Sequence, residues 1–385
     1  MYNRQLSSEI LRLNKSFSVL SVTGPRQSGK TTLCKTLFPN YEYVNLENVV
    51  TRNMVAEDIE SYLRSHKNGL IIDEAQYLPN VFSFVQVIVD EDKSYRFILS
   101  GSSNFLLLQN ITQSLAGRVA ILKLLPLSIR ELGADADVDS DTLMVNGFYP
   151  GVWGDKQKPA DVYGNYYDSY IERDVRQIVN IEKLDLFQRF MMVCAARIGN
   201  EFNAASISGE VGVDLKTIQR WLSILNASYT AFTLQPFFRN IGKRLSKTPK
   251  IYFYDVGLVC FLLGIETPQQ LSTHPLRGAV FENMIVCDML KNRYNAGKRS
   301  NLFFYRDKSQ REIDVVQEFA TQLRAYEIKS AQCFTTDFVK NLDYFRKLYG
   351  NDVVSTQVLY NGTAELKSDK NGLLNFRNFL QNQSD

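Results

Sequence analysis

A chain of 385 residues is long enough for two or three domains, each burying its own core. Apolar side chains make up 45% of it and charged ones 22%, which excludes an intrinsically disordered chain. The formal net charge of +3 is too small to imply a polyanionic partner by itself, so the distribution of charge matters more than the total.

In chain order, residues 17–23 read as a buried strand and residues 32–38 as a helix. Between them Gly24, Pro25, Arg26, Gln27, Ser28, Gly29, Lys30 and Thr31 satisfy G-x-x-x-x-G-K-[ST], a phosphate-binding loop. Its glycines let the backbone curl until successive N–H groups face a polyphosphate at the positive end of the helix that Thr32 continues. Lys30 is of a length to reach the β- and γ-phosphates, and the Thr31 hydroxyl is a ligand for Mg²⁺. A second apolar run, residues 70–72, ends in Asp73 and Glu74. Carboxylates at the C-terminal end of a buried strand lie where open α/β sheets bind ligands. Asp73 is expected in the Mg²⁺ shell and Glu74 as the general base for water. A third run, residues 95–100, carries hydroxyls at its end (Ser100, then Ser102 and Ser103) suited to sensing a γ-phosphate. A fourth, residues 119–125, follows Arg118.

This order resembles the AAA branch of P-loop ATPases over residues 15–130. The resemblance implies a parallel α/β sheet of AAA/ASCE type, ATP rather than GTP, and Mg²⁺. It also implies an arginine finger at Arg118 acting in trans, hence a homo-oligomer; a plain salt-bridging arginine is the other reading of Arg118.

The ATPase core is expected to end at residue 132. Residues 133–141 read as an exposed acidic loop and residues 147–153 as a turn-rich connector. Residues 160–177 read as a helix with Tyr163, Tyr166, Tyr167, Tyr170 and Ile171 on one buried side, a lid-like segment closing the stretch 133–183. In residues 184–255 a helix precedes two shorter ones with Gly212 at the turn and Asp214 as N-cap, the spacing of a helix-turn-helix. Lys216, Thr217, Gln219 and Arg220 would be exposed on its second helix. Residues 231–238 and 250–254 are the candidate strands of a wing, completing a winged helix. Seven basic residues stand against one acid between Asp214 and Lys250, and again between Lys291 and Arg311. This supports a nucleic-acid partner, read here as DNA, although a solvated face or a protein-contact module has the same look.

The last part, residues 256–385, holds Glu282 on a helix, a strand at 302–305, Asp314 on a second and Glu327-x-Lys329 on a third. Alternation points Glu327 and Lys329 the same way, and a hairpin would set Asp314 beside Glu327. A helix at 338–348 and a strand at 353–360 follow. The arrangement resembles the PD-(D/E)xK nuclease fold. That implies Glu282, Asp314 and Glu327 as metal ligands and Lys329 as the lysine that orients water. A cross-strand Glu–Lys ladder is the plainer alternative. Taken whole, the chain resembles prokaryotic AAA-domain ATPases with an appended C-terminal module of unknown function. The likeness is carried by residues 24–31, 72–76, 114–118, 170–174 and 326–330.

Cys34, Cys194, Cys260, Cys287 and Cys333 are scattered, odd in number and never spaced C-x-x-C, so they read as reduced core residues. The most apolar stretch, 256–265, is short of the roughly 20 residues a membrane span needs. The expectation is a cytoplasmic protein with no membrane partner.

Overall fold

The computed structural model describes residues 2–101, 115–170, 184–240, 242, 244 and 247–383. They fall into two compact units. The first is Met1–Leu127 with Ala227–Tyr229 and Tyr294–Lys298; the second is the remainder.

The first unit is built on five parallel strands in the order β2-β3-β4-β1-β5: β1 Val19–Thr23, β2 Glu42–Asn45, β3 Leu70–Asp73, β4 Phe97–Gly101 and β5 Val119–Lys123. Every residue of β1, β3 and β4 is buried, as expected of strands covered on both faces. Alternation divides their side chains between two cores. Val19, Leu70, Ile72, Phe97 and Leu99 pack against Val81, Phe82, Val85 and Ile88 of the helix Asn80–Glu91. Leu20, Val22, Ile71 and Ile98 pack on the other face against Ile10 and against Leu33 and Cys34 of the helix Lys30–Leu37. β5 lies at the edge, where Ala120 and Leu122 point inward and Ile121 outward.

The second unit begins with short helices. The stretch read as an acidic loop is more ordered than expected: Gly133–Ala136 is a 3-10 turn, and Asp139 caps the helix Ser140–Asn146 by accepting from the Thr142 N–H. The aromatic helix runs Pro159–Ser169, and Tyr163, Tyr166, Tyr167 and Tyr170 are all buried. Ile171 and residues 172–177 of that expectation lie outside the described residues. Three helices, Leu184–Ala196, Ala204–Val211 and Leu215–Ala227, precede an antiparallel pair, β6 Ala231–Leu234 and β7 Lys250–Phe253. Phe187 and Phe190 of the first helix meet Trp221 of the third at ring distances of 5.3 and 5.5 Å, so one aromatic knot holds the group together.

A five-stranded mixed sheet follows, in the order β12-β11-β10-β9-β8. β8 Leu302–Arg306, β9 Glu312–Phe319 and β10 Gln322–Lys329 are antiparallel neighbours. β11 Val353–Tyr360 and β12 Gly372–Asn375 continue in parallel from β10. The helix Lys340–Tyr349 covers one face through Leu342 and Phe345. β12 and the helix Phe376–Asn382 extend the pattern beyond the last strand read from the sequence. Four cysteines are buried as expected, whereas Cys333 is exposed. Among the described residues no helix is long and apolar enough to cross a membrane.

Candidate functional site

The loop after β1 is shaped by its backbone. Gly24, Gln27 and Gly29 have φ of 153°, 60° and 92°. A Cβ at Gly24 would lie 2.0 Å from the Leu124 carbonyl oxygen, so only glycine fits there. The helix Lys30–Leu37 starts at Gly29 with no side-chain cap, which leaves its first N–H groups directed at the loop's concavity. Ser28 is fully buried, and its hydroxyl donates to the Pro25 carbonyl at 2.9 Å.

Lys30 is buried as well, with Nζ donating to the carbonyls of Gly24 at 3.0 Å and Pro25 at 2.6 Å. Burial lowers its ammonium to about 8, while the nearby Glu74 and Asp73 work against the drop. Thr31 donates its hydroxyl to Asp73 Oδ2 at 2.7 Å. Asp73 also accepts from Tyr43 Oη at 3.0 Å and, on Oδ1, from the Ser100 hydroxyl. Burial first, and then the Asp73 carboxylate, hold the Tyr43 phenol well above its ordinary range. Glu74 follows in a left-handed conformation at φ 52°, and Gln76 Nε2 donates to its Oε2 at 2.5 Å. Residues 24–32, 73, 74 and 100 thus sit at one end of the sheet, where β1, β3 and β4 all terminate. Ser102, Ser103 and Ser114 lie outside the described residues.

Two contributors had no signal in the sequence. Tyr43 is the second residue of β2, with nothing nearby to mark it. Arg4, buried, donates to the carbonyls of Ser28 at 2.7 Å and Leu125 at 2.6 Å, tying the loop to the chain just past β5. Arg118 precedes β5, and its Nε pairs with Asp90 Oδ1 at 2.5 Å.

The second unit gathers the other predicted residues. The β9–β10 register pairs Val315 with Tyr326, so Asp314 and Glu327 are adjacent at the open end of the hairpin. Asp314 Oδ2 accepts from the Ile328 N–H at 2.7 Å and lies 3.6 Å from Lys329 Nζ. Lys329 Nζ is 2.5 Å from Glu327 Oε2, while Glu327 Oε1 is buried without a hydrogen-bond partner among the described residues. Glu282, on the helix Arg277–Asn295, accepts from Tyr252 Oη at 2.6 Å. Lys250 of β7 was not anticipated here; its Nζ lies 2.5 Å from Glu312 Oε1 and 3.4 Å from Glu282 Oε1. Burial raises the carboxyls of Glu282 and Glu327, and the lysines oppose that rise. The sequence expectation set Glu282, Asp314 and Glu327 as metal ligands. Among the described residues, however, no three His, Cys, Asp or Glu side chains converge so as to share a metal ion. A lysine engages each carboxylate instead.

The helix-turn-helix residues form as spaced. Gly212 ends the helix Ala204–Val211 at φ 83°. Asp214 accepts from the Thr217 N–H at 3.0 Å and its hydroxyl at 2.6 Å, so Thr217 serves the cap while Lys216, Gln219 and Arg220 are exposed.

An AAA domain matches residues 16–133, and domains of unknown function match 137–269 (DUF8612) and 277–379 (DUF4143). An uncharacterized protein of Mycobacterium tuberculosis is 31% identical over 334 residues, covering 85% of this chain and 73% of its own. One from Haemophilus influenzae is 20% identical, covering 88% and 90%. Among solved structures, the Walker-type ATPase PABY2304 of Pyrococcus abyssi aligns at 13% identity and a TM-score of 0.48, covering 68% of this chain and 96% of that one. On the AAA match and the mycobacterial relative, this chain belongs to the family of that mycobacterial protein: an AAA-type P-loop ATPase joined to a C-terminal domain of unknown function.

Proposed function

We propose that the chain binds Mg·ATP in the loop 24–31, hydrolyses it, and uses the cycle to gate DNA contact by the helix pair 204–227. The observation that carries the catalytic half is the Thr31–Asp73 contact at 2.7 Å, which sets an alcohol and a carboxylate oxygen side by side at the mouth of the loop. Such hard donors fit Mg²⁺, and these two residues would hold it; the ion would supply positive charge against the polyphosphate. The N–H groups of Gly29, Lys30, Thr31 and Thr32 orient the phosphates, with Pro25, Arg26, Gln27 and Ser28 forming the loop's wall. Lys30 exchanges the Gly24 and Pro25 carbonyls for phosphate oxygen. Glu74, held by Gln76, takes the proton of the attacking water, and Ser100 keeps Asp73 in position.

Calorimetry with Mg·ATP tests the core of this reading. Lys30→Ala should abolish the heat of binding. Glu74→Gln should retain binding while turnover falls about 10²-fold or more. Unchanged turnover in Glu74→Gln would remove that residue from its role, and no Mg·ATP heat in the folded parent protein would end the proposal.

DNA contact is supported by the exposed Lys216, Gln219 and Arg220 on a capped second helix. Anisotropy titration of duplex DNA should show weaker binding for Lys216→Ala/Arg220→Ala, with a shallower salt slope. A metal-dependent nuclease is the competing account of the C-terminal half. Its residue types are present, and the unpartnered Glu327 Oε1 favours a cation nearby. The lysine-paired carboxylates do not fit a shared metal ion, so the better-supported account is a nucleotide-gated switch whose nuclease-like domain is inert. Plasmid nicking with Mg²⁺ or Mn²⁺ that disappears in both Asp314→Ala and Lys329→Ala would reverse that choice.

A further inference from the structure

The second unit carries four carboxylates in two lysine-bridged pairs: Glu282 from the helix Arg277–Asn295 with Glu312 from β9, and Asp314 from β9 with Glu327 from β10. Two ammonium groups divide them. Lys329 serves Asp314 and Glu327 at 3.6 and 2.5 Å; Lys250 serves Glu282 and Glu312 at 3.4 and 2.5 Å. The two lysines differ in origin. Lys329 belongs to the same strand as Glu327, two residues on. Lys250 comes from β7, the second strand of the two-stranded ladder, and its side chain is 2% exposed. A lysine so completely withdrawn from water stays charged only where anionic partners compensate its lost hydration, and here burial is outweighed by Glu282, Glu312 and Asp314.

The cluster's remaining capacity points the same way. Among the described residues Glu327, 3% exposed, keeps Oε1 unpartnered, and Arg306 Nε pairs with Glu312 Oε2 at 3.7 Å. Four carboxylates against two lysines and Arg306 leave at most one negative charge in excess, beside the buried acceptor Glu327 Oε1. A divalent cation with oxygen ligands would answer that electrostatic demand, yet the ammonium of Lys250 holds the carboxylates in pairs of their own.

We propose that Lys250 is a tethered cation occupying the place of a divalent metal ion against Glu282 and Glu312, so that the cluster accepts a divalent cation only when this lysine is removed or withdrawn with β7. A point charge on a four-carbon stem suits this task, because it neutralises acids without imposing a fixed fork geometry. The cluster is thereby a latent cation site closed by a neighbouring strand.

Calorimetric titration of the full-length protein with Mn²⁺ alone tests this, comparing the parent and Lys250→Met, each with and without Glu327→Gln. Subtracting the Glu327→Gln background removes any binding at the nucleotide loop. The expected result is Glu327-dependent Mn²⁺ binding that is at least about tenfold tighter in Lys250→Met than in the parent. Equal Glu327-dependent affinities in the two proteins would overturn the proposal while leaving a metal site. No Glu327-dependent binding in either would overturn it by showing that Lys250 is not what keeps a metal out. Both failures are independent of the Lys30→Ala result that governs the ATPase reading. If Lys250→Met is unfolded as purified, replacement is read as refolding. Mn²⁺ should restore its near-UV circular dichroism, but not that of Lys250→Met/Glu327→Gln, and absence of restoration overturns the proposal equally.

Discussion

Asp73 accepts from Thr31, Tyr43 and Ser100, three donors from three separate elements, so its position is over-determined before any nucleotide contact. Arg4 does the same for the loop: its guanidinium satisfies two buried carbonyls that otherwise have no water to turn to. Arg4→Ala should therefore cost about 3 kcal/mol in denaturant unfolding and weaken Mg·ATP binding, and Arg4→Lys should fail to restore it, since one ammonium does not span both acceptors. Wild-type stability in Arg4→Ala would show that the loop holds itself. Asp288 offers a test by pH. It is buried, accepts from the Ile129 N–H at 2.8 Å, and burial pushes its carboxyl up to about 6 against the opposing pull of Lys291. Its folded-state value lies above the unfolded one of about 3.9, so the folded chain binds the extra proton. That contribution is fully present below about pH 4 and is lost as pH rises through about 6, amounting to at most about 3 kcal/mol. Urea midpoints should fall across this window in the parent and stay flatter in Asp288→Asn; parallel profiles would mean the carboxyl ionises unhindered.

Among the elements, the β9–β10 hairpin does the most to assemble a site. A register shift of one residue would turn every side chain over, sending Glu327 away from Asp314 and Leu323 and Ala325 out of the core they share with Leu342 and Phe345. The helix Leu215–Ala227 depends on its start. Asp214 satisfies the Thr217 N–H, and Asp214→Ala should lower stability by about 1 kcal/mol, read from thermal or denaturant unfolding. Lys216→Ala on the same helix should leave stability unchanged within about 0.5 kcal/mol while weakening DNA binding. A loss of both together would assign that face to packing rather than to a ligand.

At the scale of the whole molecule, the dependence of turnover on protein concentration tests whether a second copy completes the ATPase site. Arg118 sits at the start of β5 paired with Asp90, half-exposed, which is compatible with a local ion pair and with release to a neighbouring copy. If it acts in trans, turnover per chain rises with protein concentration, and mixing Lys30→Ala with Arg118→Ala partly restores activity. A concentration-independent rate, with Arg118→Ala as active as the parent, would leave Arg118 as a surface partner of Asp90 worth under about 1 kcal/mol.

By itself the sequence determined the parts whose physics is local. The loop 24–31, the acid-tipped run 70–74, the Gly212–Asp214 turn and the alternation that sets Glu327 and Lys329 on one face all depend on neighbours within a few residues, and each is legible in order. The strand β12 and the helix Phe376–Asn382 escaped because a four-residue strand joined directly to a short helix has too little periodicity to declare itself. Tertiary structure alone decided which distant polar groups share an environment. Arg4 reaches Ser28 and Leu125, Tyr43 reaches Asp73, and Lys250 reaches Glu312 from 62 positions away. Burial of a charge creates a demand for a partner, but the pattern of residues along the chain does not say which partner the fold will bring to meet it.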